Sequence, residues 1–175
     1  MVELHRNPYF SVEYDQDYFS LTFGFRHVIV VPIIENDHLL MIMAKRPILG
    51  CSALEFPAGG TEIGESSESC ALRELKEETG VVITDCSRLV QLPSINPMPA
   101  RIKDKTLIYY VNLSMREYES RADHDHEVEC LKVLNPHDLL GFVTSGEFFT
   151  STHVSAFFIY LACAEKLSIT DHIEE

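Results

Sequence analysis

The chain has 175 residues, 46% hydrophobic and 23% charged, the balance of one globular domain large enough to bury a core without disulfide or metal staples. Its formal net charge of −13 repels nucleic-acid backbone and anionic lipid, which excludes both as expected partners and obliges any phosphorylated substrate to find basic residues and a divalent cation locally. No apolar run approaches the ~20 residues that span a bilayer, residues 1–8 lack the apolar centre of a secretory signal, and the five cysteines are scattered with no paired spacing, which points to reduced thiols in a cytoplasmic protein.

In chain order, Tyr9–Phe25 alternates loosely and is rich in aromatics. It reads as two short strands around Asp15-Gln16-Asp17, a β-hairpin within residues 1–26 that packs on a partner subunit or caps its own core. His27–Ile34 reads as a buried strand with Pro32 at a bulge or edge. Glu35-Asn36-Asp37 turns the chain into a returning strand, His38–Lys45. Arg46–Ser52 is a loop, and Leu54-Glu55-Phe56 a short strand entering Pro57-Ala58-Gly59-Gly60. Ser66 is placed to cap a helix ending at Thr79, with Gly80 in the left-handed position after it and Ala71, Leu72 and Leu75 as its apolar face. Strands follow at Cys86–Leu92 and Thr106–Leu113, with a Pro-rich loop, Pro93–Pro99, between them. The remainder is a charged loop, Asp123–Glu127, a strand, Val128–Leu134, a short helix, His137–Val143, and a last helix, Thr150–Leu167, whose stripe is Val154, Phe157, Phe158, Leu161 and Ala162. From Ser168 the chain is a polar, frayed tail.

The chemistry concentrates between Gly59 and Val81. At ~100° per residue, Glu74, Glu77 and Glu78 share roughly a 100° arc of one helix. Like charges three and four residues apart repel by a few tenths of a kcal/mol per pair. A helix that keeps them there has a cation to offset them, and hard oxygen ligands suit Mg²⁺ or Mn²⁺; the competing reading is a solvated acidic face. Gly59 and Gly60 let backbone approach a phosphate and turn sharply into the helix, and Arg73 is placed to orient and partly neutralise a glutamate. The string Asp123-His124-Asp125-His126-Glu127 carries histidines two apart, a spacing open to Zn²⁺ or Ni²⁺ as well as to plain hydrated loop.

Gly59-x5-Glu65-x7-Arg73-Glu74-Leu75-x-Glu77-Glu78-x-Gly80-Val81 resembles the Nudix box at all nine of its defined positions. The family implied is the Nudix hydrolases, with an α/β/α sandwich around a mixed sheet and a loop–helix–loop that holds Mg²⁺ or Mn²⁺. The resemblance implies Glu74, Glu78 and the Ala58 carbonyl as metal ligands, Glu77 as a further ligand or catalytic group, and Glu65 as an anchor. A second layer, Arg46-Pro47-x5-Ala53-Leu54-Glu55-Phe56-Pro57-Ala58-Gly59 with Pro97 downstream, is similar to the ADP-ribose and nucleotide-sugar pyrophosphatase branch. It implies Arg46, Glu55, Gly59, Gly60 and Pro97 as substrate contacts. Arg101, with Lys103 and Lys105, is the other local source of positive charge. In that branch a carboxylate on a loop of the C-terminal half often activates the attacking water, so Glu127 is the first candidate and Asp125 the second. The implied reaction is hydrolysis of a nucleoside diphosphate derivative to a nucleoside monophosphate and a sugar phosphate, by a homodimer. A dinucleotide or nucleoside triphosphate substrate, and a catalytically silent nucleotide-binding module, are the alternatives.

Overall fold

The computed structural model describes residues 1–164. The chain begins with an antiparallel sheet of three strands, β1 (Val2–Arg6), β2 (Phe10–Asp15) and β3 (Tyr18–Phe23). The hairpin expected within residues 1–26 is β2–β3. Its turn residues Gln16 and Asp17 lie at φ 47° and 68°, the two-residue turn whose twist suits paired strands. β1 is an addition to the expectation. All five of its residues are exposed, so no buried face imposes an alternation to read.

The main sheet contains β4 (His27–Ile34), β5 (His38–Arg46), β6 (Cys51–Glu55), β7 (Ala58–Gly60), β8 (Val90–Ile95), β9 (Thr106–Leu113) and β10 (Val128–Leu134). Its order is β10-β5-β4-β9-β8, with β6 paired to β5 and β7 to β4. β4 and β9 run parallel and the other pairs antiparallel, so the sheet is mixed. Among the described residues four α-helices are interleaved with these strands: α1 (Ser67–Thr79), α2 (Met115–Glu119), α3 (Pro136–Ser145) and α4 (Ser151–Cys163).

The period of two along β4 builds the layers. Val28, Val30 and Ile34 pack with Cys70, Ala71, Leu72 and Leu75 of α1. The alternate residues Ile29, Val31 and Ile33 pack with Leu139 of α3 and with Ala156, Phe157, Tyr160 and Leu161 of α4. A strand buried on both faces reads as a continuous apolar run because each face has its own helices. The result is an α/β/α sandwich with α1 on one side and α4 on the other.

Several local expectations change. Pro32 lies in a central strand, bonded in parallel to β9 on one side. On its other side β4 pairs with β7 at residues 27–29 and with β5 at residues 33–34, so the missing N–H falls in a gap between two ladders. Residues Cys86–Arg88 form a single helical turn capped by Asp85, and the strand begins at Val90 and runs through Pro93 to Ile95. α2 carries a capping box, Ser114 with Glu117. The buried stripe of α4 is His153, Ala156, Phe157, Tyr160 and Leu161, one residue out of phase with the stripe expected, and Phe158 is 38% exposed. The expected extension of this helix to Leu167 and the tail from Ser168 lie outside the described residues.

The N-terminal sheet is tied to the loop between β8 and β9. Leu21 N–H donates to the Arg101 carbonyl at 2.7 Å, and Lys103 pairs with Glu13 at 3.0 Å.

Candidate active site

The acid helix is built as its sequence dictates. Ser66 Oγ accepts the Ser69 N–H at 3.1 Å, and Gly80 closes the helix at φ +75°, its N–H donating to the Lys76 carbonyl. The left-handed turn returns the chain so closely that a Cβ on Gly80 would sit 1.9 Å from the Ala122 carbonyl oxygen. That contact and two backbone bonds, Ala122 N–H to Gly80 O and Asp125 N–H to Glu77 O, fasten the Asp123–Glu127 loop to the C-terminal end of α1.

Arg73 is the hub of the helix's polar face. It forks onto Glu65, Nε to Oε1 at 2.9 Å and Nη2 to Oε2 at 3.0 Å. Nη1 donates to Glu74 Oε1 at 2.7 Å and to Glu77 Oε2 at 3.1 Å, and Nη2 to the Gly60 carbonyl at 2.9 Å. One guanidinium therefore locks the loop residue Glu65, the helix and β7 together. Beneath it, burial pushes the Cys70 thiol up to about 12, so this sulfur is an inert packing group.

Glu74 and Glu78 are buried against β7. Glu78 Oε2 accepts the Ala58 N–H at 2.8 Å. A Cβ on Gly59 would fall 1.9 Å from Glu74 Oε1, so the carboxylate occupies space that only glycine leaves open. Burial raises both carboxyl groups above the usual range, Glu78 to about 8. Glu77 is different, with its side chain 48% exposed. Among the described residues no three His, Cys, Asp or Glu side chains are gathered into a metal-binding group, because the glutamates are turned onto Arg73 and the Ala58 amide. The histidines of the 123–127 loop form no such group either. His124 Nδ1 lies 2.9 Å from the Asp125 carbonyl oxygen.

Arg46, at the end of β5, forks onto Glu55, at the end of β6: Nε to Oε1 at 3.1 Å and Nη2 to Oε2 at 2.6 Å. Glu55 is 2% exposed. It stands behind Arg46, with both of its oxygens bonded to that guanidinium. Its neighbour on the other side is His153 of α4, which the sequence reading passed over. The Arg46 guanidinium is about one-third exposed, and Glu55 first, with Glu78 and Glu127 adding to it, holds it firmly in its charged form. It lines a cleft of about 640 Å³ together with Lys45, Pro47, Ile48, Leu49, His126 and Glu127. Asp125 Oδ1 accepts the Glu127 N–H at 2.9 Å. The Glu127 carboxylate has no hydrogen bond among the described residues.

Pro97 lines a second cavity of about 240 Å³, walled also by Phe23, Phe25, His27, Ile102, Thr106 and Thr152. The Arg101 side chain is exposed and donates to the carbonyl of its own neighbour Ala100. The fold thus brings Arg46, Glu55, the acid helix and the 123–127 loop to one end of the sheet. Pro97 comes to the rim of the N-terminal sheet, and Arg101 stays in solvent.

The NUDIX domain family model matches residues 25–154, well over half of the chain. The chain belongs to this family. Nudix hydrolases generally need a divalent metal ion. Among curated relatives of this Nudix chain, the ADP-sugar pyrophosphatase of Mus musculus is 46% identical over 69 residues, 36% of this chain and 32% of that protein. The ADP-ribose pyrophosphatase of Bacillus subtilis (strain 168) is 30% identical over 107 residues, 61% of this chain and 56% of that one. The chain spans between about a third and just over half the length of the curated relatives it first matches. A solved ADP compounds hydrolase superposes with a TM-score of 0.69 over 95% of this chain and 94% of its own, at 22% identity, a likeness of fold.

Proposed function

We propose that this Nudix protein hydrolyses the diphosphate bond of a nucleoside diphosphate derivative, ADP-ribose or a nucleotide sugar, giving a nucleoside monophosphate and a sugar phosphate. The observation that carries the reading is the Arg46–Glu55 fork beside the acid helix. In a chain of net charge −13, a guanidinium is held along one edge while its other edge opens on a cleft. Its free N–H groups match the spacing of phosphate oxygens. The names carried by the mouse and B. subtilis relatives agree with that substrate class.

The donor set fits Mg²⁺ or Mn²⁺. Glu74 and Glu78 offer hard oxygens side by side against β7, and the space that Gly59 leaves open is filled by one of their carboxylates. Glu74, Glu78, the Ala58 carbonyl and Glu77 would hold the ion. Such an ion, when bound, neutralises phosphate charge and makes a coordinated water more acidic. Arg73, bonded to Glu65 and the Gly60 carbonyl, would keep β7 and α1 in register with Glu74 and Glu77 engaged on the ion. Arg46 grips a phosphate oxygen. Glu127, unbonded and facing Arg46 across the cleft, takes the proton from the attacking water, while Asp125 fixes its loop. Pro97 and the aromatic cavity meet the nucleoside end.

We also read residues 1–175 as one Nudix domain in the cytoplasm, where its five free thiols stay reduced. Its N-terminal arm, with Val2, Leu4, Tyr9, Tyr18 and Phe19 exposed, supports a homodimer. Among the described residues no helix is long and apolar enough to cross a membrane.

The test is a panel of ADP-ribose, nucleotide sugars, NADH and diadenosine polyphosphates, assayed with Mg²⁺ and a coupled phosphatase. Turnover of an ADP-ribose or nucleotide-sugar substrate, lost on chelation and in Glu77→Gln with nucleotide binding kept, is the expected result. Wild-type protein that turns over no member of the panel would overturn the reading.

A further inference from the structure

The Arg46–Glu55 pair does not end at Glu55. Each carboxylate oxygen has a second partner from the far helix layer. Oε1 accepts Thr150 Oγ1 at 3.3 Å and Oε2 lies 3.3 Å from His153 Nε2. The other ring nitrogen, His153 Nδ1, accepts the Phe56 backbone N–H at 3.1 Å. An acceptor nitrogen carries no proton, so the proton of the neutral ring sits on Nε2, the nitrogen that faces Glu55 Oε2 at 3.3 Å. The ring is 3% exposed and stacks on Phe56 with 24° between planes. Glu55 thus has four contacts, two from Arg46, one from Thr150 at the N-cap of α4 and one from His153 in its first turn.

We propose that His153 is the positioning residue for Arg46: its Nε2–H holds Glu55, and Glu55 holds the guanidinium with its free edge toward the cleft. The proposal rests on the reading of Arg46 as the phosphate-binding group. Stability alone is a poor reason to bury such a set, since apolar residues of similar volume do as well or better than a buried ion pair. What the relay supplies is orientation. Arg46 spends Nε and one N–H of Nη2 on Glu55, which leaves three N–H groups, two of them on the outer Nη1–Nη2 edge. A guanidinium pinned this way meets phosphate without ordering a long side chain on binding. The lone imidazole at the start of an otherwise apolar stripe, His153 followed by Ala156, Phe157, Tyr160 and Leu161, is how α4 reaches the site from the opposite side of the sheet.

Two substitutions separate positioning from packing, because they divide the imidazole's two bonds. Gln reproduces the Nε2 donor and loses the Nδ1 acceptor; Asn reproduces the acceptor and loses the donor. His153→Gln is expected to keep KM for ADP-ribose within about twofold of wild type. His153→Asn is expected to raise it about tenfold with kcat unchanged, the size and pattern of a weakened ground-state phosphate contact. In parallel, the protected Arg46 Nε–H resonance, read by NMR without substrate, should persist in the Gln variant and broaden in the Asn variant. Equal KM values for the two variants, KM changes that follow Tm, or an Arg46 resonance untouched by His153→Asn each overturn the proposal. Should His153→Asn fail to fold, Thr150→Val removes the other bond to Glu55 without removing a helix cap, since Thr150 makes no capping side-chain bond. Its KM should rise about threefold at unchanged Tm, and an unchanged KM overturns the proposal. A wild type inactive on every substrate removes the reading of function, while the Arg46 resonance still decides the relay.

Discussion

Arg73→Ala tests whether the hub of the acid helix is structural. Its two best-shielded partners, Glu65 and Glu74, have side chains 14% and 11% exposed, while Glu77 is 48% exposed. Removing the guanidinium strands the first two as carboxylates with little water, whereas Glu77 simply resolvates. Breaking a buried pair from one side costs roughly 3–5 kcal/mol. Arg73 is itself 24% exposed and Glu65 keeps the Glu62 amide, which places the loss at the low end, about 3 kcal/mol. At ~2–4 °C per kcal/mol for a chain of this size, Tm should fall by about 6–12 °C. Arg73→Lys restores the charge without the fork, and should recover less than half of that. Urea titrations of the double-mutant cycles give the partition: about 1.5–3 kcal/mol of coupling with Glu65→Gln and below about 0.5 with Glu77→Gln. A single-variant loss under about 1 kcal/mol, or equal coupling to Glu65 and Glu77, would refute the hub.

Gly59→Ala puts a methyl group where the Glu74 carboxylate lies. The obstacle is the far end of a side chain, so the fold accommodates it for about 1–3 kcal/mol, but turnover should fall at least tenfold; full activity would show that Glu74 does not need its place. Burial lowers the His153 pKa to about 4, well below the ordinary imidazole value of 6.5. The folded state therefore binds fewer protons than the unfolded one, and the contribution is complete above about pH 6.5 and lost as pH falls toward about 4. The whole window is worth about 3 kcal/mol. It should appear as a steeper acid loss of Tm in wild type than in His153→Gln, and parallel profiles would contradict it.

α1 was legible to the residue because its signals are local: Ser66 bonds three residues on, and Gly80 alone tolerates the left-handed turn. β9 was equally legible from its β-branched and aromatic run. The misplaced elements are those where tertiary context outweighs local pattern. Cys86–Arg88 has strand-like neighbours but an Asp85 cap that turns it into helix, and α4 carries apolar residues nearly all round, so its buried face is set by the sheet it meets. The Ser114–Glu117 capping box is a local signal that was there to be read.

At the site, the spacing of Glu65, Arg73, Glu74, Glu77 and Glu78 is by itself enough to put five charged groups around one loop and helix, because a helix converts sequence separation directly into angle. It is not enough to say which carboxylates are dry. Glu74 and Glu78 are buried only because β7 lies across them, and Glu77 is open because nothing does. The partnership of Arg46 with Glu55 spans nine residues and is closed by the β5–β6 pairing. That of Glu55 with His153 spans 98 residues, and no periodicity in the chain encodes it. Local chemistry determined where charge is held; the packing of α4 against the sheet decided which charge faces the cleft and which is kept behind it.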